Sequence, residues 1–270
     1  SGIDTLVLDE ADRMCDMGFL PDIKRILKSL PVKKQTLFFS ATMPEDIAQL
    51  THNILKNPVI VRAESDAPAK TVSHALFPVP DGLRKKLLFS LISETPSGRM
   101  LIFTRTKYRA RSLAADLGKA GHKVAEMQGN LSQNRRQAAL AGFKRGKFDI
   151  LVATDIAARG IDVSEITHVI NYDMPDTIDA YTHRIGRTGR ALQTGEAFTI
   201  MTEEDEGLVK KIERILGKPI ERRRVNDFDY GNFDPEKPPV SGSGSTGPAF
   251  AARRRPAAPS RSMMFRPGRR

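Results

Sequence analysis

The chain predicts an α/β protein built on parallel sheets flanked by helices, with a short first unit, a larger, complete second unit and a disordered basic tail. Three observations lead there. Short β-branched or Leu-rich runs alternate with amphipathic stretches of helical length, the order of repeated strand–helix–strand units. A polar break with Ala and Pro68 at residues 64–71 interrupts that alternation. The charge is also unevenly spread: seven of the eleven net positive charges of the 270 residues sit on arginines in residues 238–270, which hold no acid.

The first unit has candidate strands at 5–8, 36–39 and 59–61, each a short apolar run too brief for a helix. Helical periodicity covers 20–30 and 45–55, and Ser40, Thr42 and Pro44 supply capping and first-turn chemistry before the second of these. Beyond the break, strands are predicted at 100–103, 123–127, 150–153, 168–171 and 197–200. Helices are predicted at 83–93, 107–120, 133–145 and 204–216, with a helix-like stretch from Ile178 to Tyr181. The domain reading is 1–63, a linker at 64–73, a second domain at 74–220 and a tail at 221–270. Residues 238–270 hold six Pro, four Gly and five Ser, too little apolar surface to offset the entropy of ordering them.

Composition narrows the function classes. No apolar run approaches the roughly 18 residues of a membrane span, and no secretory signal opens the chain. The expectation is a cytoplasmic protein without membrane contact. The single cysteine, Cys15, allows neither an internal disulfide nor a thiolate metal cluster. The net charge of +11 points to a polyanion, most simply nucleic acid.

Three strings carry chemistry. Leu6, Val7 and Leu8 run into Asp9, Glu10, Ala11 and Asp12, which puts carboxylates at the carboxyl edge of a parallel sheet, where open α/β folds bind ligands. Asp9 suits Mg²⁺, directly or through water, and Glu10 suits a water attacking a γ-phosphate. The same acids alone fit a polar helix entrance equally well. Ser40, Ala41 and Thr42 follow a second apolar run. They read as a helix cap, or as partners of Asp12 if the two strands are neighbours. The third string, His183 to Arg190, sets three arginines around two glycines, a pattern suited to charge on a transferring phosphoryl group.

With Ala153 to Asp162, these strings resemble the DEAD-box RNA helicases of superfamily 2, over about residues 3–220, and the arginine-rich tail is similar to that of bacterial, RhlE-like members. The resemblance implies RecA-like lobes. Residues 9–12, 40–42, 101–106, 154–162 and 183–190 take the places of motifs II, III, IV, V and VI, with Gln133 and Arg136 as the QxxR element. It implies catalytic roles for Asp9, Glu10, Arg187 and Arg190, with Mg²⁺ near Asp9, through water. Asp12, Ser40, Thr42 and His183 would couple nucleotide state to lobe position. Asp162, Arg187 and Arg190 would bind ATP. Thr106, Gly129, Arg136, Thr154 and Gly160 would hold RNA through phosphate and 2′-hydroxyl groups, sequence-tolerantly.

The implied activity is ATP-dependent local RNA unwinding or RNP remodelling, with ribosomal or RNA-decay complexes as partners. The adenine-reading glutamine segment and the GxxxxGK[ST] phosphate loop of the family are missing from these residues. The expectation is therefore a C-terminal portion of a helicase, inactive alone, with a weakly stable first lobe. Two alternatives are a non-catalytic RNA-binding module made of the second lobe and tail, and a DNA-directed superfamily 2 helicase.

Overall fold

The computed structural model describes residues 2–16, 18–40, 42–43, 45–61, 72–158, 163, 165–189 and 195–235, apart from the side chains of Arg13, Cys15 and Asp16. Residues 64–71 of the expected linker, the tail from 236 onward and the Cys15 thiol lie outside what is described. The chain divides into two compact units, residues 1–65 and 66–270.

In the first unit, β1 (Thr5–Leu8) pairs in parallel with β2 (Gln35–Phe38), Thr5 opposite Gln35 and Leu8 opposite Phe38. Helices α1 (Ala11–Asp16), α2 (Leu20–Lys28) and α3 (Glu45–Ile54) accompany them. Ala11, Ile23, Ile47 and Leu50 are buried, while Val7, Ile26 and Phe39 are exposed. The third strand expected at 59–61 is not formed. Val59, Ile60 and Val61 are 74 to 90% exposed and pair with no strand among the described residues. Three β-branched residues make a strand only when a neighbour accepts their ladder bonds.

The second unit is a seven-stranded parallel sheet. Its elements in chain order are β3 (Val72–Pro78), α4 (Arg84–Glu94), β4 (Arg99–Phe103), α5 (Lys107–Lys119), β5 (Val124–Met127), α6 (Gln133–Lys144), β6 (Ile150–Ala153), β7 (Ile166–Asn171), α7 (Ile178–Ile185), β8 (Gly195–Met201), α8 (Glu206–Leu216) and β9 (Glu221–Arg222). The spatial order is β5-β6-β4-β7-β8-β3-β9. Alternate residues of each central strand face opposite helical layers. Leu101, Phe103, Leu151 and Val169 pack with Phe143, Tyr181, Ile185, Val209 and Ile212, from α6, α7 and α8. Met100, Ile102, Val152 and Ile170 pack with Leu87, Leu88, Leu113 and Leu117, from α4 and α5. Burial on both faces explains why β4 and β6 read as unbroken apolar runs.

Two boundaries differ from expectation. Val72 and Ser73, placed in the linker, begin β3, which pairs with β8 over seven residues. At the other end the packed body does not stop at 220. β9 pairs with β3 at Ala75 and Leu76, and Arg222 reaches Glu206 and Glu213 at 3.2 and 3.3 Å. Val225 and Tyr230 are buried against the α4–α5 layer, with the Val225 amide donating to the Tyr230 hydroxyl at 2.9 Å. Phe228 and Phe233 flank Tyr230 with ring centroids 4.8 and 6.5 Å away. The polar, Gly- and Asp-containing surface of 221–235 hid an aromatic trio that supplies enough apolar area to order it.

Candidate functional site

The carboxylate string sits where the sequence put it. Asp9 follows the last residue of β1 and is exposed; one of its carboxylate oxygens accepts the Glu10 amide at 2.9 Å. Glu10 is half-buried at φ 50°, in the left-handed region. A non-glycine residue held there costs free energy, and such strain clusters at functional sites. Its carbonyl accepts the Met14 amide, so the strained turn opens directly into α1.

Asp12 is almost fully buried, and its carboxylate is claimed by the hydroxyl string of the neighbouring strand. One oxygen accepts both the Thr42 amide at 2.8 Å and the Thr42 hydroxyl at 2.9 Å. In return the Asp12 amide donates to Ser40 Oγ at 3.1 Å, and the Ser40 hydroxyl donates to the Thr42 carbonyl at 2.7 Å. The backbones meet as well, Ala11 N to Phe39 O at 3.1 Å. Parallel pairing of β1 and β2 in that register is what brings residues thirty apart into one closed network. The cap reading of Ser40 and Thr42 gives way to the Asp12 reading.

Asp9 and Glu10 offer hard oxygen donors. Mg²⁺ keeps most of its water and needs only one or two carboxylates alongside substrate phosphates. Among the described residues no cluster of three or more His, Cys, Asp or Glu forms a dedicated cage. The donor set fits a mostly hydrated ion.

In the second unit the expected RNA residues that are described, Thr106, Gly129, Arg136 and Thr154, gather at the carboxyl edge of the sheet. Thr106 follows β4 and is exposed, but its hydroxyl accepts the Arg109 amide as the N-cap of α5. Gly129 follows β5, and a side chain there would meet nothing within 4 Å. Ser132 caps α6, and Arg136, one turn in, reaches Gln133 at 3.4 Å. Thr154 follows β6 and is buried, so its contribution to a ligand surface is small. The N-termini of α5, α6 and α7 lie along this edge, each capped by a hydroxyl from Thr106, Ser132 or Thr177. Amide groups so presented favour phosphate.

The arginine string occupies the other end of α7. His183 lies in its last turn, and Arg187 in the turn beyond. Thr188 is buried, its hydroxyl close to the Ile166 and Thr167 carbonyls (2.6 and 3.0 Å), which fixes this turn at the amino edge of β7. Gly195 must lack a side chain here: a Cβ would fall 2.1 Å from Thr188 Oγ1 and 2.5 Å from the Gly189 amide. The RNA candidates and Arg187 are thus separated by the length of a helix. Gly160, Asp162 and Arg190 lie outside the described residues.

Sequence reasoning missed Arg184, which looks identical to its neighbours in the string but turns inward. It is 3% exposed. Its guanidinium donates Nε and Nη2 to the two oxygens of Asp155, both at 2.6 Å, and Nη1 to the Asp173 carbonyl at 2.7 Å and Asn171 Oδ1 at 3.3 Å. It also lies 5.1 Å from the Phe103 ring centre. Asp173 was missed too. Its fully buried carboxylate accepts Arg84 at 2.7 Å, the Arg105 amide at 2.8 Å, and Arg109. Buried acids of this kind must be paired, and here the pairing fixes the loop between β4 and α5.

Residues 1–50 match the family described as DEAD/DEAH box helicase, and residues 83–192 match the helicase conserved C-terminal domain. The RNA helicase CrhR of Synechocystis is 43% identical over 81% of this chain and 45% of its own length. The chain spans about half the length of the curated relatives it matches. Among solved structures, S. cerevisiae Dbp5 bound to RNA and ADP BeF3 superposes with a TM-score of 0.76 at 28% identity, covering 83% of this chain and 60% of that one. The E. coli DEAD-box protein SrmB, solved with regulator of ribonuclease activity A, is 35% identical with a TM-score of 0.53, over 56% of this chain and 90% of that one. With the Asp9–Asp12 string closed on Ser40 and Thr42 and a RecA-like parallel sheet carrying the arginine string, the chain belongs to the DEAD-box helicases of superfamily 2.

Proposed function

We propose that the protein couples ATP hydrolysis to local opening of RNA duplexes or remodelling of RNP, as an ATP-dependent RNA helicase. The observation that carries this is the closed network of Asp12, Ser40 and Thr42. A helix cap would not need a buried carboxylate from the start of α1; a nucleotide-sensing edge does, because movement at Asp9 and Glu10 is passed directly to the segment after β2. Glu10 orients the attacking water, and Asp9 would hold Mg²⁺, which would neutralise phosphate charge. Arg187 and Arg190 stabilise the γ-phosphate, His183 joins Asp12, Ser40 and Thr42 in coupling, and Asp162 meets the ribose. Thr106, Gly129, Arg136, Thr154 and Gly160 serve the RNA backbone. Gly129, exposed just after β5, and Arg136, half-buried in the first turn of α6, support this reading.

The arginine-rich tail supports a bacterial, RhlE-like reading with added affinity for structured RNA through counterion release. An RNA-decay partner is supported by SrmB, solved in complex with a ribonuclease regulator. The test is RNA-stimulated ATP turnover by the natural protein at full length. Glu10→Gln should lower turnover by about 10² or more while RNA binding persists. Wild-type turnover in that variant would overturn the assignment. RNA binding without any ATP turnover in the unaltered protein would favour the non-catalytic RNA-binding module.

A further inference from the structure

Of the four tyrosines, Tyr172, Tyr181 and Tyr230 are buried and only Tyr108 is open to solvent, at 72% exposure. It is the second residue of α5, two positions after Thr106. Lys107 holds it in place: the ammonium donates to Asn130 Oδ1 at 3.0 Å and stands 5.3 Å from the centre of the Tyr108 ring. Asn130 is itself fixed, its amide donating to the side chain of buried Gln128 at 2.6 Å. An exposed ring is thereby tied to the loop that carries Gly129, between the phosphate-suited N-termini of α5 and α6.

We propose that Tyr108 is a stacking platform for one nucleobase of a bound RNA single strand, an aromatic contact added to the phosphate-binding edge. The proposal rests on the RNA-binding reading above and deepens it. A strand held by its phosphates at Gly129 and Arg136 leaves its bases free to turn outward, and an aromatic ring at the rim is the side chain that accepts a base face without reading its edge. Lys107, already beside the ring, adds a positive charge near the adjoining phosphate. Stacking of this kind is tolerant of sequence because every base has a π-face.

The experiment is a cycle between protein and RNA, run on the whole chain at several salt concentrations. Wild type, Tyr108→Phe and Tyr108→Ala are titrated with a short single-stranded oligonucleotide, intact or with one abasic nucleotide moved through each position. Tyr108→Ala should weaken the intact strand by about 5- to 100-fold, while Tyr108→Phe binds as wild type. At one abasic position the penalty of Tyr108→Ala should vanish, and the salt slope should stay unchanged, since no phosphate contact is lost. RNA should also protect Tyr108 from nitration by tetranitromethane. Equal affinity of Tyr108→Ala and wild type for the intact strand would overturn the proposal, as would a penalty undiminished at every abasic position. If wild type fails to bind any strand, the RNA-binding reading falls, and this inference with it.

Discussion

Replacing Arg184 by Ala removes four donated hydrogen bonds at once. Asn171 Oδ1 and the Asp173 carbonyl are left buried without that donor, and each such loss costs about 1–3 kcal/mol. The Asp155 carboxylate is a third exposed, so water takes over part of its pairing and its share is smaller. Packing over Phe103 is lost as well. The sum is about 3–5 kcal/mol, the range for breaking a buried pair by deleting one partner. With a urea dependence of roughly 2 kcal/mol per molar, the unfolding midpoint should fall by about 2 M. The protein has no tryptophan, and the three buried tyrosines all lie in the second unit, so tyrosine fluorescence reports on that unit alone. Combining Asp155→Asn with Arg184→Ala should cost little more than Arg184→Ala by itself, because the partner of Asp155 is already gone. A midpoint shift below about 0.3 M would refute the reasoning: Arg184 would then be a solvated arginine whose contacts contribute nothing.

Thr42→Val keeps the amide bond to Asp12 but removes the hydroxyl, which should destabilise the first unit by about 1 kcal/mol and lower RNA-stimulated ATP turnover more than RNA affinity; hydrogen exchange at Asp12 and steady-state kinetics measure the two. Gly195→Ala forces a methyl against Thr188 and the Gly189 amide, and overpacking of about 1–3 kcal/mol should appear as a lower thermal midpoint. The same variant should impair nucleotide-dependent turnover, because the turn that bears Arg187 must move. Acid should also weaken the second unit. Burial pushes the imidazoles of His74 and His168 below their usual 6.5, in His74 with help from Lys218, and in His168 against the pull of Glu196. The unfolded chain therefore binds more protons as pH falls below about 6.5, so stability is full above that value and is lost as pH drops toward the folded values. Thermal midpoints at pH 7.5 and 5.5 should differ, and His74→Gln with His168→Gln should flatten the difference.

What could be read from residues alone follows physical lines. β4 and β6 were plain because both faces are buried, which forces continuous apolar runs. β3 escaped because Ser73, His74 and Pro78 dilute the apolar pattern and the polar break runs straight into it. At 59–61 the reverse error arose, since residue preference makes a strand only where a partner exists. Within the site, the coupling of Asp12 to Ser40 and Thr42 was legible once two adjacent strands were assumed. The inward turn of Arg184 was not, because three arginines in one string carry no mark of which faces the core. Asp173 was hidden for a similar reason: its three arginine partners are scattered from 84 to 109 and converge only through the sheet.

The aromatic trio at Phe228, Tyr230 and Phe233 decides where the arginine-rich extension can be severed for study. A cut at Ile220 would remove Val225 and Tyr230 from the core they share with Leu87, Leu88 and Leu91 and unpair one border of the sheet. Lost RNA affinity in such a shortened protein would then report damage to the body. Only a cut beyond residue 235 removes the extension while leaving its buckle fastened.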